Sequence, residues 1–528
     1  MPTVAPISGP QLPPPVTVVW NTPSVVVSAA MALYTILTPL YAYIFEHWPW
    51  TVGPSPVART TWAAEKPAWL AFNRDRYSPA YFAGASMARD ASSNTDVYRR
   101  TFNLTRPITG CRDNFFYQLD NGATLGAELQ AIVCDVVTNT SAPAIMGGCQ
   151  QGLLFALRAS VQCLWFAPAP DGGLDYFHSY HQAPAPQYLY GMLVYRLALA
   201  LYLGWRVRRR YLQPVRALHR HCEQLSAAKC EVVLGDPTGL VLLDTLVPAA
   251  MVLDLWLSVP VIGAAALAAS QVRAFGQCLR GITYLSRTVW FAYGSLALLS
   301  TALKKWHAEA RFKPADATVL AALATVVAGP MTYLQARSSL LVQLYEQVFS
   351  AADADAIQVF RGVLLFHVFI AALPAVYYVR PATAQVSPTA VLAKAVTTRY
   401  TTVGATDWKQ RLLLPLFLRH VLREPGVKHH GCSIYNFFYV NAAFRACPTL
   451  SQRGSDCYLV LFDASGKPTE VSRLALCSRV DLAPAGVPVT TERRDDVFGS
   501  LSIIINKGAT GPTFVVIVPT QARCNWLE

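Results

Sequence analysis

Six apolar runs divide the chain into alternating oily and polar stretches, at 24–45, 188–205, 240–269, 282–303, 315–334 and 359–379. A helix rising ~1.5 Å per residue needs about 20 residues to cross a ~30 Å hydrocarbon core, and each run has roughly that length. The pattern predicts an α-helical transmembrane bundle of about six spans. The third run exceeds one crossing, so tilt or a kink at Pro248 or Pro260 is expected there, unless it begins in the interface near Asp244. Tyr43, Trp48 and Trp50 follow the first run, and Tyr188, Tyr190 and Trp205 flank the second, as amphipathic rings do at headgroup depth. No basic residue precedes the first run, whose core is longer than that of a signal peptide, so it is expected to stay as an anchor.

The loops are unequal. The stretch 47–187 holds both N-x-S/T sequons, at Asn103 and Asn139, and the cysteines Cys111, Cys134, Cys149 and Cys163. An even cysteine count in an oxidising compartment favours two disulfides, with three possible connectivities. Its charges balance, with ten basic and ten acidic residues. By contrast, 206–238 carries seven basic and three acidic residues and opens on Arg206, Arg208, Arg209 and Arg210. Under the positive-inside rule the amino terminus and tail are then cytosolic, and 47–187 is luminal or extracellular. The four arginines are also placed to contact anionic inner-leaflet lipid. Arg273, Arg280 and Arg287 dissent, since they would face outward unless the third and fourth runs form a re-entrant pair.

The predicted order is a disordered cytosolic 1–23, a first span at 24–46, a glycosylated disulfide-containing domain at 47–187, the bundle with basic loops at 188–379, and a cytosolic tail at 380–528. In the outer domain a helix is expected over 147–166. In the tail, 408–424 reads as a basic, leucine-rich helix lying in the inner interface, followed by a small α+β domain with strands at 457–463, 501–506 and 513–519.

Composition agrees: only 14% of residues are charged, well below the ~25% of soluble domains. The net charge of +13 is gathered beside the apolar runs, which argues for membrane orientation and against nucleic acid. Among the ionisable residues in or beside the runs, Arg196, Asp244, Asp254 and His367 are the candidates for intramembrane polar groups. Charges at bilayer depth pair or face a polar cavity. Asp254 and Arg196 could pair, either as a packing element or, with His367, as a proton or ion relay. The groups His219/His221/Cys222/Cys230 and His429/His430/Cys432/Cys447 lack the spacing of structural zinc sites, so no metal is expected. No phosphate loop, kinase set or nucleophile elbow is present, so neither a cofactor nor an enzymatic activity is expected.

The segments GDPTGLVLLD (235–244), DLWLS (254–258) and YLSRTVWFAYG (284–294) resemble parts of multi-spanning membrane proteins of water moulds, over roughly 235–335. No activity is established for that family, so the resemblance implies a lineage-restricted membrane protein and no site residues. Two functions remain open. One is a surface or endomembrane receptor or scaffold, with an unknown extracellular ligand and a tail that binds cytosolic protein or lipid. The other is a transporter or channel with a polar midplane site, favoured by the helix breaks at Pro248, Pro260 and Gly329-Pro330 and disfavoured by the lack of an internal repeat.

Overall fold

The computed structural model describes most of residues 16–330 and 355–378, then 408–430 and 456–476, with isolated strands at 490–492, 501–505, 514–518 and 526–527. In chain order the strands are β1 Thr17–Trp20, β2 Met87–Asp90, β3 Thr95–Phe102, β4 Gly147–Leu154, β5 Leu157–Pro168, β6 Leu174–Gln182, β7 Lys229–Val233, β8 Ala356–Gln358, β9 Lys428–His430, β10 Asp456–Phe462, β11 Pro468–Leu476, β12 Thr490–Glu492, β13 Leu501–Ile505, β14 Phe514–Val518 and β15 Trp526–Leu527. The helices that matter below are α1 Thr22–Leu37, α2 Trp62–Arg76, α3 Ala127–Thr138, α4 Pro186–Val207, α5 Gln213–Cys222, α6 Leu246–Leu257, α7 Val259–Ser270, α8 Phe275–Leu285, α9 Val289–Lys305, α10 Ala317–Ala328, α11 Val359–Tyr378, α12 Trp408–Phe417 and α13 Arg419–Leu422.

Two six-stranded sheets dominate. Sheet I runs β1-β7-β10-β11-β15 with β9 beside β11, and sheet II runs β2-β3-β6-β5-β4-β8; β12, β13 and β14 form a small third sheet. Three connections run between the large sheets: α1 leaves β1 toward sheet II, α4 leads from β6 back toward β7, and α11 leaves β8 toward the tail. At ~1.5 Å per residue the 22 residues of α4 extend about 33 Å. Asn21 caps α1 by accepting from the Ser24 amide at 3.1 Å, and its amide group donates to Glu231 of β7 at 2.7 Å. The start of α1 is thus fastened to sheet I. At the other side of the helical layer α7 meets sheet II, where the Tyr98 hydroxyl donates to the Ala264 carbonyl at 3.2 Å.

The six-span bundle is not what the chain builds. Among the described residues one helix, Thr22–Thr51, is long and apolar enough to cross a membrane, and a second crossing exists only if the pair α6–α7, bent by 77°, counts as one. The reasons are local. Ser258 leaves helical geometry just before Pro260, which splits the third run. The fourth is interrupted at 286–288 around the buried Arg287. The fifth yields only the 12 residues of α10, about 18 Å. An α/β architecture with two large sheets replaces the expected bundle.

The outer stretch also differs from expectation. Residues 147–166 form the hairpin β4–β5, with Cys149 directly opposite Cys163. These two pair as a disulfide, as do Cys111 and Cys134, which selects one of the three connectivities. The Cys111–Cys134 pair sits beside a core of Phe115, Leu129, Val133 and Phe166, where α3 closes one face of sheet II. In the tail, helix is found over α12 and α13, and β10, β13 and β14 fall on the expected strands. Of the expected disordered 1–23, residues 1–15 lie outside the described residues and the rest is ordered, with Thr17–Trp20 forming β1 against β7 and Thr22 opening α1; Cys432, Cys447 and 380–407 also lie outside the described residues.

Candidate functional site

The densest polar cluster within the apolar layer is built on four segments. Arg196 lies near the middle of α4, Asp254 in the last turn of α6, Glu46 just past the amino-terminal helix, and Tyr284 and Arg287 at the end of α8 and the turn after it. Arg196 is fully buried and makes four hydrogen bonds: Nε to Asp254 Oδ1 at 2.7 Å, Nη1 to Glu46 Oε2, and Nη2 to both Glu46 Oε1 and Ser258 Oγ at 2.8 Å. Arg287 Nη2 donates to Asp254 Oδ2, and its Nη1 lies 3.5 Å from Glu46 Oε1. The Tyr284 hydroxyl donates to Glu46 Oε1 at 2.7 Å. Tyr43 covers the Arg196 guanidinium, 5.1 Å from its ring centre.

Two guanidiniums and two carboxylates make the cluster neutral. All four carboxylate oxygens accept at least one hydrogen bond, and every Arg196 nitrogen donates, whereas Arg287 Nε and Nη1 are buried without a hydrogen-bond partner. Ser258 serves twice: its hydroxyl donates to the Asp254 carbonyl at 2.8 Å and accepts from Arg196, which ties the α6–α7 bend to the cluster.

Of the ionisable residues singled out in the apolar runs, the structure brings together Arg196 and Asp254. His367 lies elsewhere, stacked on Phe291 at 3.7 Å and edge-on to Trp256 at 4.9 Å, and neither ring nitrogen has a hydrogen-bond partner. Asp244 is separate too, pairing with Arg206 and accepting from the Tyr202 hydroxyl at 3.1 Å. Glu46, Tyr284, Ser258 and the role of Arg287 escaped the sequence reading. Arg287, expected with Arg273 and Arg280 to face outward unless the third and fourth runs are re-entrant, is buried, whereas Arg273 and Arg280 are exposed. A signal did exist: Glu46 is an acid directly abutting the first apolar run.

The other singled-out residues lie at the two ends of this layer. Arg206 and Arg209 stack on Trp205 at 5.6 and 5.4 Å, and Arg208 is exposed at the carboxyl end of α4. Arg210 stands in the same π-turn, Arg208–Leu212. Asn103 and Asn139 are exposed, the first just past β3 and the second just past α3; the remainder of each sequon lies outside the described residues. Cys230 is a buried thiol in sheet I, and Cys222 and Cys457 share its core. Among the described residues no group of three or more His, Cys, Asp or Glu side chains is placed to hold a metal.

Sheet II carries its own polar lattice. Burial would raise the Asp90 carboxyl, but hydrogen bonds from Arg76 at 2.6 Å, Ser92 at 2.6 Å and Tyr77 at 3.0 Å hold it well below the usual range. Burial also pushes His178 down to about 3 and His181 down to about 4.

Fold and site together define a two-sheet α/β protein organised around a buried, charge-neutral arginine–carboxylate cluster. No protein-family model, curated protein or solved structure matches the chain.

Proposed function

We propose that the chain is a membrane-anchored receptor or scaffold, with sheet II on the luminal or extracellular side, sheet I on the cytosolic side, and Thr22–Thr51 as the anchor. The observation that carries this reading is the outer flank of α1 and α4. Val26, Leu33 and Leu37 recur on one face of α1, and Tyr190, Val194, Leu197, Leu201 and Trp205 on one face of α4, all exposed, with Leu201 at 77%. Apolar stripes of this length are rare on surfaces that meet water. From Tyr188 to Trp205 the α4 axis rises about 26 Å, close to the thickness of a hydrocarbon core, with an aromatic belt at each end.

Sidedness has three independent supports. The arginines following Trp205 lie at the sheet I end, as the positive-inside rule requires of a cytosolic face. The buried Cys230 thiol belongs to that same sheet, while one disulfide lies within sheet II and the other on the helices beside it, matching reducing and oxidising compartments. Both sequon asparagines are exposed on the sheet II side. Sheet II is then the module that meets an outside ligand, and sheet I the one that meets cytosolic protein.

The test is protection in sealed microsomes. Glycosidase should shift the gel mobility of the wild type and leave Asn103→Gln/Asn139→Gln unshifted, and externally added protease should remove the tail while sparing 87–182. Release of the chain by alkaline carbonate would overturn the reading.

A further inference from the structure

The helix pair α12–α13 leaves one face open. Trp408, Leu412, Pro415 and Leu416 are exposed, and the same spacing continues across the junction at Leu418 into Arg419, Leu422 and Arg423, also exposed. Leu412 and Leu416 are 67% and 70% exposed. The opposite face is spent: Leu414, Phe417, Leu418 and Val421 pack on Val233, Tyr458 and Val460 of sheet I.

The position of this pair is fixed relative to α1. Leu413, Leu414 and Phe417 line a cleft with Val27 and Met31, one to three turns into α1. The Asn21 side chain, which caps α1, donates to the Phe417 carbonyl at 3.2 Å, and His420 meets Glu231 of β7 at 2.9 Å. The Trp408 amide donates to Asp316 Oδ2 at 3.0 Å, at the cap of the apolar helix α10. Both neighbours of α12 are therefore apolar helices, α10 met at its cap and α1 along its first three turns.

We propose that the open face of α12–α13 lies in the headgroup region of an anionic lipid leaflet, on the sheet I side. This rests on the reading of Thr22–Thr51 as a membrane anchor. A helix set at the level where such an anchor enters the bilayer has its outer face at headgroup depth, and the composition suits that depth. Tryptophan and leucine enter the acyl boundary, a helix-interior proline is tolerated on the outer side, and two arginines extend to lipid phosphate. The arginines favour anionic over zwitterionic lipid, because each basic group near a charged leaflet adds attraction that falls off within a Debye length.

The experiment uses the full chain in liposomes of equal phosphatidylserine and phosphatidylcholine, with a photoreactive benzoylphenylalanine replacing Leu412 or, as a control within the anchor, Leu33. Lipid adducts from both positions are expected, with phosphatidylserine favoured at 412. Replacing both arginines (Arg419→Gln, Arg423→Gln) should lower that preference roughly fivefold or more. Adducts at 33 without adducts at 412 would overturn this inference and leave the anchor standing, whereas no lipid adduct at either position would sink the anchor itself. Crosslinking of 412 to a polypeptide, or equal labelling of the two lipids, also overturns it.

Discussion

Replacing Asp254 by asparagine tests the buried cluster most directly. Asp254 receives Arg196 on one oxygen and Arg287 on the other, and both guanidiniums are buried. Asparagine keeps the shape and one acceptor but leaves two cations facing the single carboxylate of Glu46. An uncompensated charge of this kind costs about 3–5 kcal/mol. Arg287→Met should cost a similar amount, through the opposite imbalance. Combining Asp254→Asn with Arg287→Met restores neutrality, because Arg196 and Glu46 still pair through two hydrogen bonds. The double variant should recover more than half of the summed losses, giving a coupling of at least ~3 kcal/mol. Denaturant unfolding of the purified chain in detergent, followed by tryptophan fluorescence, measures all the variants. The exposed pair Lys467–Glu424 at 3.8 Å is the control, and Glu424→Gln should cost less than ~1 kcal/mol. Losses below ~1 kcal/mol for the single changes, or strict additivity in the double, would refute the account of the cluster as a neutral lock.

Three other outcomes follow from the geometry. A Cβ on Gly281 would come within 2.7 Å of the Ala265 carbonyl oxygen and the Ala269 amide nitrogen, so Gly281→Ala should destabilise by about 1–3 kcal/mol, while Gly276→Ala, with open space around it, should not destabilise in the same melts. His178 and His181 titrate near 3 and 4 in the fold against about 6.5 unfolded, so their stability contribution is complete above pH 6.5 and declines as pH falls toward those folded values; at pH 5 each should have forfeited roughly 2 kcal/mol, and a His178→Asn/His181→Asn variant should show a flatter stability profile between pH 7 and pH 5. Cys149 and Cys163 close a loop with a sequence separation of 14, so Cys149→Ser/Cys163→Ser should lower stability by about 3 kcal/mol under oxidising conditions and leave it unchanged relative to wild type in excess dithiothreitol.

How much was legible depended on whether one partner or two decided a residue's fate. Arg196 and Asp254 were readable because each is a charge deep inside an apolar run, and such a charge needs a counter-ion. Glu46 sits just past the end of a run, where a charge is ordinary, and Arg287, though inside the fourth run, groups in sequence with the nearby Arg273 and Arg280, so the packing of four segments reveals their role. The hairpin at 147–166 was hidden for another reason. Strand β6, which pairs with β5, is buried at every position from Leu174 to Gln182, including Asp175, His178 and His181. With both faces covered, the polar and apolar alternation that marks a strand disappears, and Gly147, Gly148 and Gly152 are tolerated because Trp165, Ile132 and Ser160 fill the space above them. Helices overlap the six apolar runs, but the six spans read from them fail: Pro260 signalled a break in the third run, while hydropathy registers neither its 77° size nor the short reach of α10.

Sheet I also sets a timetable for synthesis. Its strands come from residue 17, residue 229, residue 456 and the last residues of the chain, so β7 can receive β1 early but must wait for β10 until about 220 further residues have been made. At ~5–20 residues per second that is a delay of roughly ten to forty seconds, during which one edge of β7 offers unpaired amides and carbonyls to any passing strand. Sheet II needs only the contiguous stretch 87–182 for five of its six strands, so it can form while the ribosome is still producing the helices. Biogenesis of this protein should accordingly be limited by the sheet assembled from both ends of the chain, and truncation late in the reading frame should be felt near residue 17.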